Sequence, residues 1–138
     1  MSFLLDTNIV SELKRGRKCD PRFGAWHAAQ VSSDLFVSVL TLGELRKGVD
    51  MLRPRDAARA QLFEGWLVDI ETDFQDRIIP IDIHVADRWG RLAATRPLPP
   101  IDALLAATAL VHDLTLVTRN TRDIASTGVR LLDPFADA

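Results

Sequence analysis

Short apolar runs alternate with helix-like patterns along this chain, and that alternation restricts the fold more than any other feature. Residues Phe3–Leu5, 35–40, 77–82, 114–118 and 129–132 read as short strands, several of them rich in Leu, Ile and Val. The intervening stretches 9–15, 21–30, 41–52, 55–74, 84–95 and 102–112 read as helices. Strands that alternate with helices predict an α/β fold with a mainly parallel sheet and helices on both faces.

The helical stretches differ in what they bury. Between 55 and 74, Leu62, Phe63, Trp66, Leu67 and Ile70 recur at helical spacing, with Arg59, Glu64 and Glu71 turned away. Val85, Trp89 and Leu92 mark one face of the next helix. The run from Ala103 to Leu110 is apolar or small on nearly every side, which predicts a central helix packed close to the sheet. Thr41 followed by Glu44 reads as a capping box that opens a helix reaching about Leu52. Pro97, Pro99 and Pro100 end one helix and preset entry to the next. With 138 residues, 47% of them apolar, the chain is expected to form one domain over 1–138.

Acidic or amide side chains stand where these elements begin and end. Asp6 follows the first apolar run, Glu44 follows the second, Asp102 opens the alanine-rich helix and Asn120 follows the fourth run. In a parallel α/β sheet, ligands bind outside the carboxyl ends of the strands, so these four groups are expected to converge. Crowded carboxylates repel unless protons or a cation neutralise them. Oxygen ligands without histidine or cysteine suit a hard ion such as Mg²⁺ or Mn²⁺. The expected chemistry is metal-dependent phosphoryl transfer or hydrolysis, with one or two ions activating water for in-line attack. Each acidic residue also has a plain structural reading, as a turn residue, a helix cap or a partner of the helix dipole. Thr7, Thr118 and Asp123 are supporting candidates, Asp123 as extra charge beside the neutral Asn120. Arg119 and Arg122 are read either as phosphate contacts or as partners of the surrounding acids.

The net charge of −2 indicates no overall basic footprint, so any contact with a polyanion must be local. Lys14, Arg15, Arg17 and Lys18 around Gly16, with Arg46 and Lys47, are the candidates for a nucleic-acid backbone; a solvated loop is the alternative for the first four. His27, His84 and His112 share no ligand spacing and are expected at the surface or at helix ends, while Trp26, Trp66 and Trp89 are expected in the core. A lone cysteine, Cys19, excludes an internal disulfide. The absence of a signal-peptide pattern and of a ~20-residue apolar span gives the expectation of a soluble, cytoplasmic protein without membrane contact.

The same residues resemble a known family. Leu4-Leu5-Asp6-Thr7-Asn8, Thr41-Leu42-Gly43-Glu44-Leu45, the stretch from Asp102 to Ala109 and that from Leu116 to Asp123 look like the successive motifs of PIN-domain ribonucleases, with VapC-type toxins of toxin–antitoxin pairs as the nearest likeness. The resemblance covers nearly the whole chain in order. It implies a PIN-like three-layer α/β/α domain and an Mg²⁺- or Mn²⁺-dependent endoribonuclease acting on RNA. It also implies a VapB-type antitoxin as partner, a homodimer, and DNA contact only through the antitoxin. Asp6, Glu44 and Asp102 match the family's acidic positions, with Asp6 and Asp102 as metal ligands. Asn120 departs from the aspartate that some members carry. Two other classes are weighed against this: a phosphoacceptor receiver domain, whose adjacent acidic pair and following lysine are missing here, and a PIN-like RNA- or protein-binding module that has lost catalysis.

Overall fold

A computed structural model describes residues 1–136. In chain order the elements are strand β1 (Phe3–Leu5), helix α1 (Thr7–Leu13), helix α2 (Pro21–Ala28), strand β2 (Leu35–Ser38), helices α3 (Val39–Leu52) and α4 (Ala57–Asp73), strand β3 (Ile78–Ile79), helices α5 (Ile83–Thr95) and α6 (Pro100–His112), strand β4 (Thr115–Val117), helix α7 (Thr121–Ile124) and strand β5 (Leu131–Leu132). Among the described residues the strands form one sheet in the order β3-β2-β1-β4-β5. Every pairing in it is parallel, with Leu4 opposite both Phe36 and Leu116. The fold is thus the α/β/α arrangement expected from the alternation.

The period of two along β1 divides the interior. Leu4 points into a core built with Val85, Leu92, Leu105 and Ala106 of α5 and α6. Phe3 and Leu5 point the other way, against Ile9, Val10, Phe23 and Ile70 of α1, α2 and α4. Helix α6 is the central helix anticipated from its small residues: Ala103, Ala106, Ala107 and Ala109 are fully buried. Small side chains let its axis approach the sheet, which fixes the N-terminal turn that carries Asp102. Among the described residues no helix is long and apolar enough to cross a membrane.

Several boundaries differ from the sequence expectation, each for a local reason. Helix α1 starts at Thr7, not Ile9, because the Asp6 carboxylate accepts the Thr7 amide and serves as its N-cap. Helix α3 starts at Val39, so the strand read as 35–40 ends at Ser38. Ser38 is the cap, its Oγ accepting the Leu40 amide at 3.0 Å. Thr41 and Glu44 therefore form no capping box; both lie within the helix and face α1. The third strand is two residues long because Pro80 offers no N–H to a ladder, and Asp82 instead caps α5 through the Val85 amide.

Three side-chain assignments also change. Leu62 is 72% exposed, whereas Leu67 and Ile70 are buried as expected. Glu64, read as turned away, accepts from Arg46 at 2.6 Å and Arg53 at 2.8 Å and ties α4 to α3. Trp89 lies at the surface of α5, while Trp26 is half-buried and packs edge-on against Phe3 at the margin of the core.

Candidate active-site cleft

The strand order reverses between β1 and β4, since β2 and β3 lie on one side of β1 and β4 and β5 on the other. Such a switch point opens a crevice at the carboxyl ends of the strands. Asp6 leaves the end of β1 there, its amide still bonded to the Val117 carbonyl. Thr118 and Asn120 leave the end of β4 beside it. Glu44 arrives from α3 and Asp102 from the first turn of α6. A cleft of about 610 Å³ is lined by Asp6, Thr7, Glu44, Asp102 and Asn120, joined by Glu12 and other residues of α1.

A hydrogen-bond network holds these side chains. Asp6 is buried, and its Oδ2 accepts from Thr118 Oγ1 at 2.7 Å and from Asn8 Nδ2 at 3.3 Å. Thr118 is itself fully buried and accepts the Asn120 amide at 3.0 Å. Asn120 Nδ2 donates to Asp102 Oδ2 at 3.0 Å. The Thr7 hydroxyl donates to Glu44 Oε1, and its oxygen lies 3.4 Å from Thr41 Oγ1. Asp6 and Asp102 are thereby linked through Thr118 and Asn120, and Glu44 is oriented by the first residue of α1.

The electrostatics follow from this crowding. Burial raises the Asp102 carboxyl above the ordinary carboxylate range, and the charges of Asp6, Glu44 and Asp123 push the same way. The bond from Asn120 opposes the shift. An all-oxygen set of three carboxylates suits a hard divalent cation. The side chains are nevertheless not drawn into a ligand shell: among the described residues, no group of three His, Cys, Asp or Glu side chains stands ready to hold a metal ion. Asp6, Glu44 and Asp102 commit oxygens to Thr118, Thr7 and Asn120 instead. The donor chemistry fits a cation, and its binding would draw carboxylate oxygens away from these hydroxyl and amide donors.

The other candidates scatter. Lys14 and Arg15 line the cleft. Lys14 lies over the Phe63 ring at 3.8 Å, and burial together with the nearby Arg59 lowers its pKa. Arg17 and Lys18 are exposed on a short 3₁₀ turn outside the cleft lining. Arg46 is committed to Glu64 and lies 3.7 Å from Asp50. Lys47 borders a separate apolar groove with Val39, Met51 and Ile101. Asp123 is exposed on α7 and acts on Asp102 only through its charge. Arg119 stacks on Phe135 at 3.5 Å. Among the described residues no histidine lines the cleft.

Ser11 and Glu12 line the cleft and were not anticipated. The signal was present: positions 7, 8, 11, 12 and 15 are all polar at helical spacing, while 9, 10 and 13 are apolar. A helix begun at Ile9 leaves Thr7 and Asn8 out of that stripe.

The sequence pattern described as PIN domain matches residues 3–129. Toxin FitB of Neisseria gonorrhoeae is 32% identical over 139 residues, covering 97% of this chain and 99% of that protein. VapC ribonuclease Y4jK of Sinorhizobium fredii is 28% identical, covering 98% of this chain and 99% of that protein. The crystal structure of FitAcB from Neisseria gonorrhoeae superposes with a TM-score of 0.87 at 30% identity, covering 96% and 98% of the two chains. A toxin–antitoxin complex from Klebsiella pneumoniae gives 0.69 at 30% identity, covering 99% and 100%.

Proposed function

The chain belongs to the PIN domain family, and on that premise we propose that it is a divalent-cation-dependent endoribonuclease acting as the toxin of a toxin–antitoxin pair. The observation that carries the reading is the gathering of Asp6, Glu44, Asp102 and Asn120 on one cleft at the switch point of a parallel sheet. Relatives named as ribonucleases and as a toxin support the reaction and the biological role.

Asp6 and Asp102 would hold Mg²⁺ or Mn²⁺, as one or two ions, and a cation there would supply positive charge to the scissile phosphate and to the leaving oxygen. The protein's own residues set the geometry. Thr118 and the amide at the start of α1 hold the Asp6 carboxylate at the mouth of the cleft. Thr7 holds Glu44 Oε1, which leaves Oε2 to orient the attacking water and accept its proton. Asn120 donates to Asp102 and, being neutral where a further aspartate would add charge, limits the repulsion in the cleft. The partners follow from the same reading: an RNA substrate, a VapB-type antitoxin, a second copy of this chain in a homodimer, and DNA reached only through the antitoxin. The Klebsiella relative solved as a toxin–antitoxin complex supports the antitoxin.

The test is cleavage of single-stranded RNA with Mg²⁺ or Mn²⁺ present and after chelation. Chelation is expected to abolish cleavage. Asp6→Asn and Asp102→Asn are each expected to lower the rate by ~100-fold or more, the scale on which loss of an electrostatic contributor acts. Wild-type rates in both variants would overturn the site. Titration with Mn²⁺ separates the second reading: a protein that binds RNA but shows no saturable Mn²⁺ site is a binding module, not a nuclease.

A further inference from the structure

Glu12 lines the cleft and has no part in the reaction proposed above. It is 7% exposed, which is unusual for a glutamate. A buried carboxylate requires partners, and Glu12 finds them in the segment joining α1 to α2. Its Oε2 accepts the Asp20 amide at 3.0 Å, and its Oε1 lies 3.8 Å from Arg15 Nη1. Asp20 is the N-cap of α2, so this bond ties the second turn of α1 to the start of the next helix. The tethered segment carries Lys14, Arg15, Arg17 and Lys18 and turns at Gly16, whose φ is +54°. The backbone bond is the anchor, because an ion pair whose arginine is 60% exposed contributes little by itself.

We propose that Glu12 is a positioning residue for substrate: it holds the basic segment 14–20 on the rim of the acidic cleft, where Arg15 and Lys14 receive the phosphodiester backbone of an RNA strand. This role rests on the nuclease reading. The competing role is a further member of the acidic cluster. Its partners argue against it: Oε2 accepts the Asp20 amide of the segment leading to α2, whereas the charges that raise Asp102 are those of Asp6, Glu44 and Asp123. The rim of a site crowded with carboxylates needs fixed cations if a polyanion is to approach it, and cations on the backbone phosphates make such binding salt-dependent.

The experiment uses the full chain and a short fluorescein-labelled single-stranded RNA. Cleavage kinetics, binding against salt in chelator, and Mn²⁺ binding are measured for wild type, Glu12→Ala, Glu12→Gln and Arg15→Ala. Glu12→Ala is expected to raise KM about tenfold with kcat within about twofold, and to flatten the salt dependence of binding by roughly 0.7 in log–log slope for each phosphate left without its cation. Arg15→Ala is expected to reproduce that defect. Glu12→Gln keeps an acceptor for the Asp20 amide and is expected to restore most of the affinity. Mn²⁺ affinity is expected to be unchanged in all three.

Loss of Mn²⁺ affinity in Glu12→Gln, or a fall in kcat at constant KM, would overturn the proposal and move Glu12 into the acidic cluster. Wild-type KM and salt slope in Glu12→Ala would overturn it as well. If Glu12→Ala fails to fold, Arg15→Ala carries the test, and a wild-type KM there has the same meaning. A wild-type protein that neither binds nor cleaves the RNA defeats the nuclease reading itself, an outcome distinct from a failure confined to the variants.

Discussion

Asp102 shows how one side chain can be harmful to the fold and needed by the site. Its carboxyl is raised by burial and by Asp6, Glu44 and Asp123. A raised carboxyl means that the folded protein binds this proton more readily than the unfolded chain does. The resulting stability is fully present below the ordinary carboxylate pKa and is lost as pH rises through the raised value. Above that raised value the cation-free protein carries an unrelieved charge. Asp102→Asn is expected to raise the melting temperature of chelated protein at neutral pH, by roughly 3–5 °C for each kcal/mol relieved in a domain of this size. The gain is expected to vanish in acid, where wild-type Asp102 is already neutral. Melting in the presence of Mg²⁺ checks the cause: the ion should stabilise wild type and lose most of that effect in the variant. A melting temperature unaffected by both the ion and the substitution would contradict this origin of the strain. The carboxylates of this site were legible from the sequence because each stands beside an apolar run. Their donors are less legible: spacing marks Thr7 and Thr118 only as supporting residues, and which oxygen each one holds depends on side-chain directions that spacing does not give.

At the level of elements, strands were easier to place than the caps between strands and helices. Val39 and Leu40 extend the apolar run of β2, so the sequence suggests a longer strand and a later cap. Ser38 ends the strand instead and caps α3. Serine and threonine are both good caps, and local preference could not decide between Ser38 and Thr41. The consequence is functional, because starting α3 at Val39 turns Thr41 and Glu44 toward Thr7 of α1. Ser38→Ala is expected to cost ~1 kcal/mol of stability, typical of an absent N-cap, measurable by urea unfolding. A loss near zero would mean that the sheet alone fixes the start of α3. Helix α1 gives the converse lesson. Its polar stripe at 7, 8, 11, 12 and 15 was readable, and it becomes visible once Asp6 is recognised as the cap.

For the whole molecule, the surface of α4 separates folding from association. Leu67 is 1% exposed and Leu62 is 72% exposed, although both fit one helical pattern. Leu67→Glu is expected to unfold the protein, because it buries an unpaired charge. Leu62→Glu is expected to leave stability within about 0.5 kcal/mol of wild type. If the proposed homodimer uses this face, Leu62→Glu shifts sedimentation from dimer to monomer; a dimer unaffected by the change places the interface elsewhere. Hydrophobic period and capping chemistry act within a few residues, so the order of amino acids alone carries the alternation of strand and helix, the central small-residue helix and the acidic residues at element ends. Other outcomes waited on the assembled fold: which oxygen meets which donor, that Glu64 faces α3, that Arg46 is committed to an ion pair, and that Glu12 lies under the basic segment. Those outcomes depend on how helices cross and on the order of strands in the sheet, which bring together residues whose local sequences carry no record of one another.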